Sequence, residues 1–218
     1  MFLHKHPYKP YIPKKATKLI VGTLPPPRFS VREFKPGDVD FCYGSRDGYL
    51  WPVLNEIFQL NLLFETTPKA ISQRKEFLTR HRIGICDIVD SAEREAIDAS
   101  DLGMQNVVCR DILSQLVENP TIGTLLFMGG NSKNGPEYFF RKQWKQKNIM
   151  LTPVSLEVPR RFSFKLNGRI IETISLTSPS GAANRAVGAI PAYKALKKKH
   201  PNFNTIDFRV LQYSKYFK

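Results

Sequence analysis

The chain has 218 residues, of which 42% are hydrophobic and 24% charged, which is the composition of a globular protein and excludes a disordered one. Its 33 Lys and Arg outnumber its 19 Asp and Glu, for a formal net charge of +14, and residues 141–218 alone hold sixteen of the basic groups against three acidic ones. An excess concentrated in this way is typical of proteins that bind a polyanion, most often nucleic acid.

Cysteine content and hydropathy exclude further classes. Cys42, Cys86 and Cys109 are odd in number and far apart, which excludes a disulfide framework, a CxxC zinc site and a four-cysteine iron–sulfur cluster built from this chain alone. We therefore predict neither a metal nor a cofactor. No apolar run approaches the roughly 18 residues of a membrane span, so no membrane association is expected. Residues 1–15 lack the apolar region of a signal peptide, and a cytoplasmic location is expected.

The elements follow one another as strand, loop and helix. Residues 1–17 hold three prolines and little periodicity, which predicts an extended arm ahead of a single domain over residues 18–218. Apolar runs predict buried strands, the last two forming a hairpin around Asn167-Gly168: Lys18–Thr23, Ile83–Val89, Ile122–Met128, Asn148–Val154, Arg161–Leu166 and Arg169–Leu176. Helical spacing and capping residues predict helices: Tyr49–Leu62, one capped by Thr67 and reaching Arg80, Asp111–Glu118, Pro136–Lys147 and a last one that ends at Lys197–His200.

Strands that alternate with helices predict an α/β protein, with three α/β/α layers around a mostly parallel central sheet. In such sheets the ligand binds outside the carboxyl ends of the strands. The rule directs attention to the loops 24–48, 129–135 and 177–184. The first of these is long and rich in proline and glycine, and loops of that length inside compact domains are usually functional.

Three segments in these loops carry residues suited to chemistry. Thr23 to Pro27 is stiff, because proline fixes φ, and it can form a pocket wall or a plain surface turn. Phe41 to Trp51 places aromatics, Ser45, Arg46 and Asp47 just before a helix; Asp47 can cap that helix or act on a water molecule. Thr177 to Arg185 is rich in small hydroxylated residues and glycine, which let backbone amides approach a phosphate.

The order of these motifs resembles that of the uracil-DNA glycosylase superfamily, nearest its hypoxanthine-DNA and mismatch-uracil-DNA glycosylase branch. The matching pattern runs G-T-x-P, Y-G-x-x-x-G-x-x-W-P-x-L, I-G-x-x-D-I-V, L-x-F-x-G and T-S-P-S-x-x-x-N, and it covers about residues 18–195. The iron–sulfur branches need four cysteines. The mismatch-specific branch has an asparagine in its first motif, where this chain has Leu24.

The resemblance implies three groups of site residues. The first would form the base pocket: Gly22, Thr23, Leu24, Pro25, Tyr43, Gly48 and Asn131. The second would hold the DNA phosphates and wedge the helix open: Ser178, Pro179, Ser180, Gly181, Asn184 and Arg185. The catalytic group would be Asp47, with Ser45 beside it as a further candidate.

The catalytic motif departs from that branch at one position. The branch carries an asparagine three residues before the tryptophan equivalent to Trp51, and here an ungapped match places Gly48 there, with Asp47 just before it. Three interpretations stay open: Asp47 supplies the catalytic function, the catalytic group lies elsewhere, or catalysis has been lost.

The resemblance implies a monofunctional DNA glycosylase that acts on DNA as a monomer without a cofactor. Uracil or hypoxanthine is the target expected for the branch. An alternative is an antiphage enzyme that excises a hypermodified cytosine, such as a glucosylated hydroxymethylcytosine. A hypothesis of another class is a non-catalytic nucleic-acid-binding domain, for which a carboxylate facing DNA would have no use. A nucleotide-processing enzyme finds no support, because neither GxxxxGK[ST] nor GxGxxG is present.

Overall fold

The computed structural model describes residues 1–98, 100–147 and 149–218. Within those residues the strands are β1 (Phe2–Lys5), β2 (Lys18–Val21), β3 (Ile83–Ile85), β4 (Val89–Arg94), β5 (Gln105–Cys109), β6 (Thr124–Phe127), β7 (Thr152–Ser155), β8 (Arg160–Leu166) and β9 (Arg169–Ser175). The helices are α1 (Leu50–Phe58), α2 (Pro68–Arg80), α3 (Ile112–Glu118), α4 (Pro136–Gln146), α5 (Asn184–Ala189), α6 (Pro191–Lys199) and α7 (Thr205–Phe217). None of these helices has the length and apolar character needed to cross a membrane.

Six strands form the central sheet, in the order β3-β2-β6-β9-β8-β7. Strands β3, β2, β6 and β9 run parallel, whereas β8 pairs antiparallel with both β9 and β7. The β8–β9 hairpin turns at Asn167 (φ 49°) and Gly168 (φ 77°), the positive angles that a tight two-residue turn requires. The mostly parallel sheet expected from the sequence is confirmed.

Helices cover both faces of this sheet. Successive residues of a strand point to opposite faces. Leu19 and Val21 of β2 accordingly join the hydrophobic cluster that contains α3 and α4, whereas Ile20 joins the one that contains α1, α2 and α7. All three side chains are fully buried. The predicted α/β/α layering is therefore confirmed.

Two predicted strands differ from the structure by more than one or two residues at their ends. The strand expected over Ile83–Val89 divides: β3 ends at Ile85, and Val89 begins β4 in a second, smaller sheet. The apolar run could not reveal this break, because both pieces are buried. The strand expected over Asn148–Val154 begins at a residue outside the described ones, and β7 here starts at Thr152.

Helix boundaries follow capping and proline rules. The Thr67 side chain accepts a hydrogen bond from the Ala70 amide and caps α2, as predicted. The last predicted helix is in fact two, α5 and α6, which meet at Ile190 and Pro191. Ile190 has an extended conformation (φ −65°, ψ 127°), because a residue that precedes proline is disfavoured in the helical region.

The N-terminal residues are extended and join the rest of the fold. Strand β1 pairs antiparallel with β4, and β4 with β5, to form the second sheet. Tyr11 exchanges two backbone hydrogen bonds with Ile85, at 2.9 and 2.8 Å, at the edge of the central sheet. His4 and His6 are buried. Residues 1–17 thus contribute buried side chains beneath the carboxyl end of β3.

Candidate functional site

A cleft of about 460 Å³ lies at the carboxyl ends of β6 and β9. The loop after β6 forms one wall with Gly129 and Gly130, and Thr177 and Ser178 after β9 form another. Helix α5, Arg160 and Asp101 complete it. Of the predicted site residues, only Ser178 lines this cleft.

The predicted floor residues lie beside the cleft, around a buried carboxylate. Asp87, which follows β3, accepts hydrogen bonds from the Gly22 amide (2.9 Å) and the Tyr43 hydroxyl (3.1 Å). A Cβ atom at position 22 would lie 1.9 Å from the Tyr43 hydroxyl oxygen, so glycine is needed there. Burial and the neighbouring Asp87 raise the pKa of Tyr43 well above its usual value, which keeps the phenol protonated as a donor. Leu24 packs against the hydrophobic cluster of α3 and α4.

His6 completes this cluster from the N-terminal segment. Its Nε2 lies 2.9 Å from the second oxygen of Asp87. The Tyr8 amide donates to Nδ1 at 3.1 Å, so Nδ1 is the accepting nitrogen and Nε2 carries the hydrogen that faces Asp87. Asp87 is 5% exposed and receives three donors from three separate segments. Sequence reasoning placed Asp87 in a motif but missed its role, because its partners are up to 81 residues away.

The two predicted catalytic residues lie on a solvent-exposed turn. The Asp47 side chain is 70% exposed and lies 3.5 Å from Arg28 and 4.0 Å from Arg46. The Arg28 guanidinium also donates to Ser45 Oγ at 2.9 Å. Tyr49, not Asp47, is the N-cap of α1, and no side chain caps that helix. The capping role considered for Asp47 is therefore absent.

Asp38 anchors this turn from below. It is fully buried and binds both the Nε and a terminal nitrogen of Arg28, at 2.8 and 2.9 Å. Burial alone would raise its pKa, but hydrogen bonds from Arg28 and from the Arg46 and Lys35 amides hold the pKa of Asp38 below its usual value. The ion pair fixes Arg28, and through it the positions of Ser45 and Asp47.

The structure joins this turn to the predicted DNA-binding loop. Gly48 forms an isolated antiparallel bridge with Ser180, and the Tyr49 amide donates to the Pro179 carbonyl at 2.9 Å. Asn184 lies 3.4 Å from the Tyr49 hydroxyl. Two segments that are 130 residues apart in the chain thus form one continuous surface.

Helix α7 holds the predicted DNA-binding loop from the interior. Arg209 is fully buried and donates to the Ser178 and Ser180 carbonyls and to Asn184 Oδ1, at 2.8, 3.1 and 3.0 Å. Gln212 Oε1 accepts hydrogen bonds from the amide and the hydroxyl of Thr177, at 2.8 and 3.0 Å. Sequence reasoning missed this helix. The available signal was the capping box that Asn204 and Asp207 form at its start.

Asp101, between β4 and β5, is a carboxylate that the sequence reading did not single out. It lines the cleft, and the Thr23 hydroxyl donates to its Oδ1 at 2.8 Å. Burial raises the pKa of Asp101 to about 6, against opposing effects of the Thr23 hydrogen bond and the Arg94 charge. A strongly perturbed pKa in a cleft is a recognised mark of functional residues.

The cleft lining also includes a positive group. The Arg160 guanidinium donates to Glu137 at 3.1 Å, and Glu137 also accepts from Ser175 (2.6 Å) and Arg141 (2.7 Å). Glu137 is 1% exposed and lies in α4. The Glu137 carboxylate is held in place by Ser175 and Arg141, and it therefore fixes the orientation of Arg160 along the cleft wall.

The remaining predicted residues are at the periphery. Asn131, Gly181 and Arg185 are exposed, Pro25 is partly exposed, and Pro179 is buried below the loop surface. Asn131 lies between the cleft-lining residues Gly130 and Ser132 without lining the cleft itself. Lys194, Lys198 and Lys199 of α6 are exposed, and within the described part of the chain none of them pairs with a carboxylate.

Comparison with known proteins identifies the fold. No family model and no curated protein matches this chain. Among solved structures, it is similar to the solution NMR structure of a proposed uracil DNA glycosylase from Methanosarcina acetivorans, with a TM-score of 0.56 and 15% sequence identity. The likeness covers 99% of this chain and 97% of that one. The chain therefore has the α/β fold of that protein, with a mostly parallel central sheet, over nearly its whole length.

Proposed function

We propose that this protein is a DNA glycosylase, which extrudes a damaged or modified base and hydrolyses its N-glycosidic bond to leave an abasic site. The observation that carries the proposal is the Gly48–Ser180 bridge, which joins the turn bearing Asp47 to the loop rich in serine and glycine beside a 460 Å³ cleft. The fold shared with a proposed uracil DNA glycosylase supports the same reaction class.

A base inside a duplex is out of reach of any side chain, so it must leave the stack and enter a pocket. The cleft has the size usual for ligand pockets, which is about 300–1,000 Å³. Gly129 and Gly130 present backbone groups to its interior without a side chain between them and the ligand. Arg160, fixed by Glu137, supplies hydrogen-bond donors for acceptor atoms of a base or phosphate.

The loop that α7 holds suits binding of the DNA backbone. Phosphate oxygens accept hydrogen bonds from hydroxyls, amides and basic side chains, without regard to sequence. Ser178, Ser180, Asn184 and Arg185 supply such groups on one surface. The exposed lysines of α6 follow directly, and their charge attracts the same polyanion.

Asp47 adjoins this loop, because the next residue, Gly48, forms a bridge with Ser180. Cleavage of the bond gives the sugar oxocarbenium character, and a carboxylate close to it stabilises that positive charge. The bridge between Gly48 and Ser180 places Asp47 at the surface that DNA would cover. Bound DNA would exclude water from around the carboxylate and so strengthen its electrostatic field. Ser45, held by the same Arg28, orients the turn.

The target base is proposed to be uracil or hypoxanthine, as in the related branch. A hypermodified cytosine of phage DNA is the second candidate, favoured by a cleft that is wide for an unsubstituted pyrimidine. The enzyme would act in the cytoplasm as a monomer.

Incubation of the purified protein with duplexes that carry uracil, hypoxanthine or a glucosylated hydroxymethylcytosine tests this function. We expect alkali-sensitive abasic sites from one of the three, and a single-turnover rate at least ~100-fold lower in Asp47→Ala. Arg46→Ala is the matched control on the same exposed turn, and it should excise within a few-fold of the wild type. Tight binding to all three duplexes without any abasic product would instead support the non-catalytic binding domain.

A further inference from the structure

We propose that Asp101 is a catalytic carboxylate of this site, which accepts the proton of the water that attacks the sugar. This inference rests on the proposed glycosylase function and deepens it. Neither the motif pattern nor the structural likeness assigns a role to Asp101. It lies in the short turn between the second sheet's strands β4 and β5, outside the motif loops.

Geometry places Asp101 where the reaction would occur. It lines the same cleft as Gly129, Thr177 and Ser178, which come from the carboxyl ends of β6 and β9. Thr23, at the carboxyl end of β2, donates its hydroxyl hydrogen to Asp101 Oδ1 at 2.8 Å and fixes the carboxylate. Among the described residues, Thr23 is the one hydrogen-bond donor to this carboxylate. The second carboxylate oxygen of Asp101 is therefore available to a ligand in the cleft.

The backbone around Asp101 is also held in place. Asn134, at the base of the loop after β6, donates to the carbonyls of Asp101 and Met104 at 2.9 and 3.0 Å. Asn134 is 6% exposed. The turn that bears the carboxylate is thus bound to the loop after β6, and a reacting group needs this fixed position.

The charged groups around Asp101 leave its carboxylate without a close ion pair. Arg94 of β4 is the nearest cation, but its guanidinium is engaged by the Ser100 carbonyl at 2.7 Å, His4 Nδ1 at 2.9 Å and Asp98 at 3.4 Å. Burial is the main cause of the raised pKa of Asp101, and the negative charge of Asp87, which follows β3, raises it further. Arg160, which also lines the cleft, is paired with Glu137.

Asp101 and Asp47 are suited to different tasks. Asp47 is 70% exposed and lies within 4.0 Å of two arginines, whose positive charges offset its own charge. Asp101 is mostly buried and carries a pKa of about 6, so it can both lose and accept a proton near neutral pH. Proton transfer is therefore assigned to Asp101, and electrostatic stabilisation at the DNA surface to Asp47.

The step balances as a hydrolysis. The oxygen of the water forms a bond to C1′ of the sugar while the bond from C1′ to the base nitrogen breaks, and its electron pair leaves with the nitrogen. The ionised Asp101 takes the proton of the water. That proton then passes through solvent to the departed base, so the products are a sugar hydroxyl and the protonated free base.

The pH dependence of single-turnover excision tests this assignment. The rate of the wild type should rise tenfold per pH unit below about pH 6 and level off above it, because the ionised form acts. Asp101→Asn should lose at least ~100-fold at pH 7.5 and show no inflection near pH 6. Asp98→Asn is the matched control: it removes an exposed negative charge that also contacts Arg94, and it should keep both the rate and the inflection. An Asp101→Asn enzyme with the wild-type inflection overturns the assignment.

A binding experiment separates this inference from the proposed function. Affinity is measured for one duplex with a cationic pyrrolidine abasic analogue and one with its neutral tetrahydrofuran counterpart. The wild type and Asp98→Asn should prefer the cationic analogue by at least ~10-fold at pH 7.5, and Asp101→Asn should lose most of that preference. If the wild type excises no base, the proposed function is wrong, yet a preference that depends on Asp101 still supports its position beside the sugar. If Asp101→Asn keeps the wild-type preference for the cationic analogue, Asp101 does not lie beside the sugar and the assignment is wrong.

Discussion

The two ends of the chain hold opposite sides of the candidate site with different chemistry. On one side, the N-terminal segment places His6 against Asp87, which binds Gly22 and Tyr43, and the nearby Asp101 is also ionisable. On the other side, the C-terminal helix places Arg209 against neutral carbonyl and amide oxygens. The first side includes a group that can change charge near neutral pH, since the pKa of Asp101 is about 6, whereas the arginine of the second side stays protonated.

Removal of Arg209 should have the largest effect on stability. Arg209→Met fills a similar volume but leaves the Ser178 and Ser180 carbonyls without their donor, and we expect a loss of about 3–5 kcal/mol in the free energy of unfolding. Urea denaturation measures it. Lys215→Met, which removes an exposed positive charge from the same helix, should change the free energy by less than about 0.5 kcal/mol. Equal effects of the two variants would show that the buried contacts of Arg209 do not stabilise the loop.

The Asp87 cluster should follow. Asp87→Ala deprives the Gly22 amide, the Tyr43 hydroxyl and the His6 ring of their acceptor, and should lower the free energy of unfolding by about 2–4 kcal/mol. His6→Ala removes one donor and should lower it by about half as much. The double variant should lose less than the sum of the two single losses, because the residues share one hydrogen bond. Additive losses would mean that His6 acts independently of Asp87.

The pH dependence of stability tests the ionisable groups near the N-terminal segment. Burial raises the pKa of Asp101 from 3.8 to about 6, so the folded state binds more protons than the unfolded state in that interval, and this group's contribution falls as the pH rises through it. Burial and the Arg94 charge lower the pKa of His4 from 6.5 to about 4, so its contribution rises over nearly the same interval. The two contributions oppose each other. Together, Asp101 and His4 should therefore change the stability of the wild-type protein little between pH 4 and 6.5.

Asp101→Asn removes one of the opposing effects. The variant should be more stable than the wild type at pH 7 by about 1–3 kcal/mol, and should lose stability more steeply than the wild type below pH 6.5. Thermal denaturation across this range measures both. A variant that is less stable at pH 7 would contradict a raised pKa for Asp101. Gain of stability with loss of excision is the pattern expected of a functional group held in an unfavourable environment.

The smallest expected effect concerns DNA affinity on the C-terminal side. Reversal of Lys198 and Lys199 to Glu should flatten the slope of log affinity against log salt by up to about 2. Lys14 and Lys15, equally exposed, precede β2 and therefore lie towards the amino end of that strand. Their reversal should leave the slope nearly unchanged. A common effect of both pairs would indicate that only total charge, and not the face near α6, determines binding.

The amino-acid sequence was enough to predict the layered fold and the places of most strands of the central sheet. Apolar runs such as Lys18–Thr23 and Ile122–Met128 lie where β2 and β6 are found, because strands buried on both faces are continuously apolar over short lengths. Turn and cap residues were equally local: Asn167-Gly168 makes the hairpin, and Thr67 caps α2. The alternation of strands and helices also indicated that the loops after β2, β6 and β9 would lie at one edge of the sheet.

Which polar residues meet at that edge depends on how distant parts of the chain pack together. His6 and Asp87, Thr23 and Asp101, and Arg209 and Ser178 are separated by 81, 78 and 31 residues, and no local pattern encodes such pairs. The exposure of Asp47 and the partial burial of Asp101 were likewise invisible in the sequence, since both are aspartates in polar loops. The protonation chemistry of a carboxylate depends on its solvent access and neighbours, which exist only once the two ends of the chain have packed against the sheet.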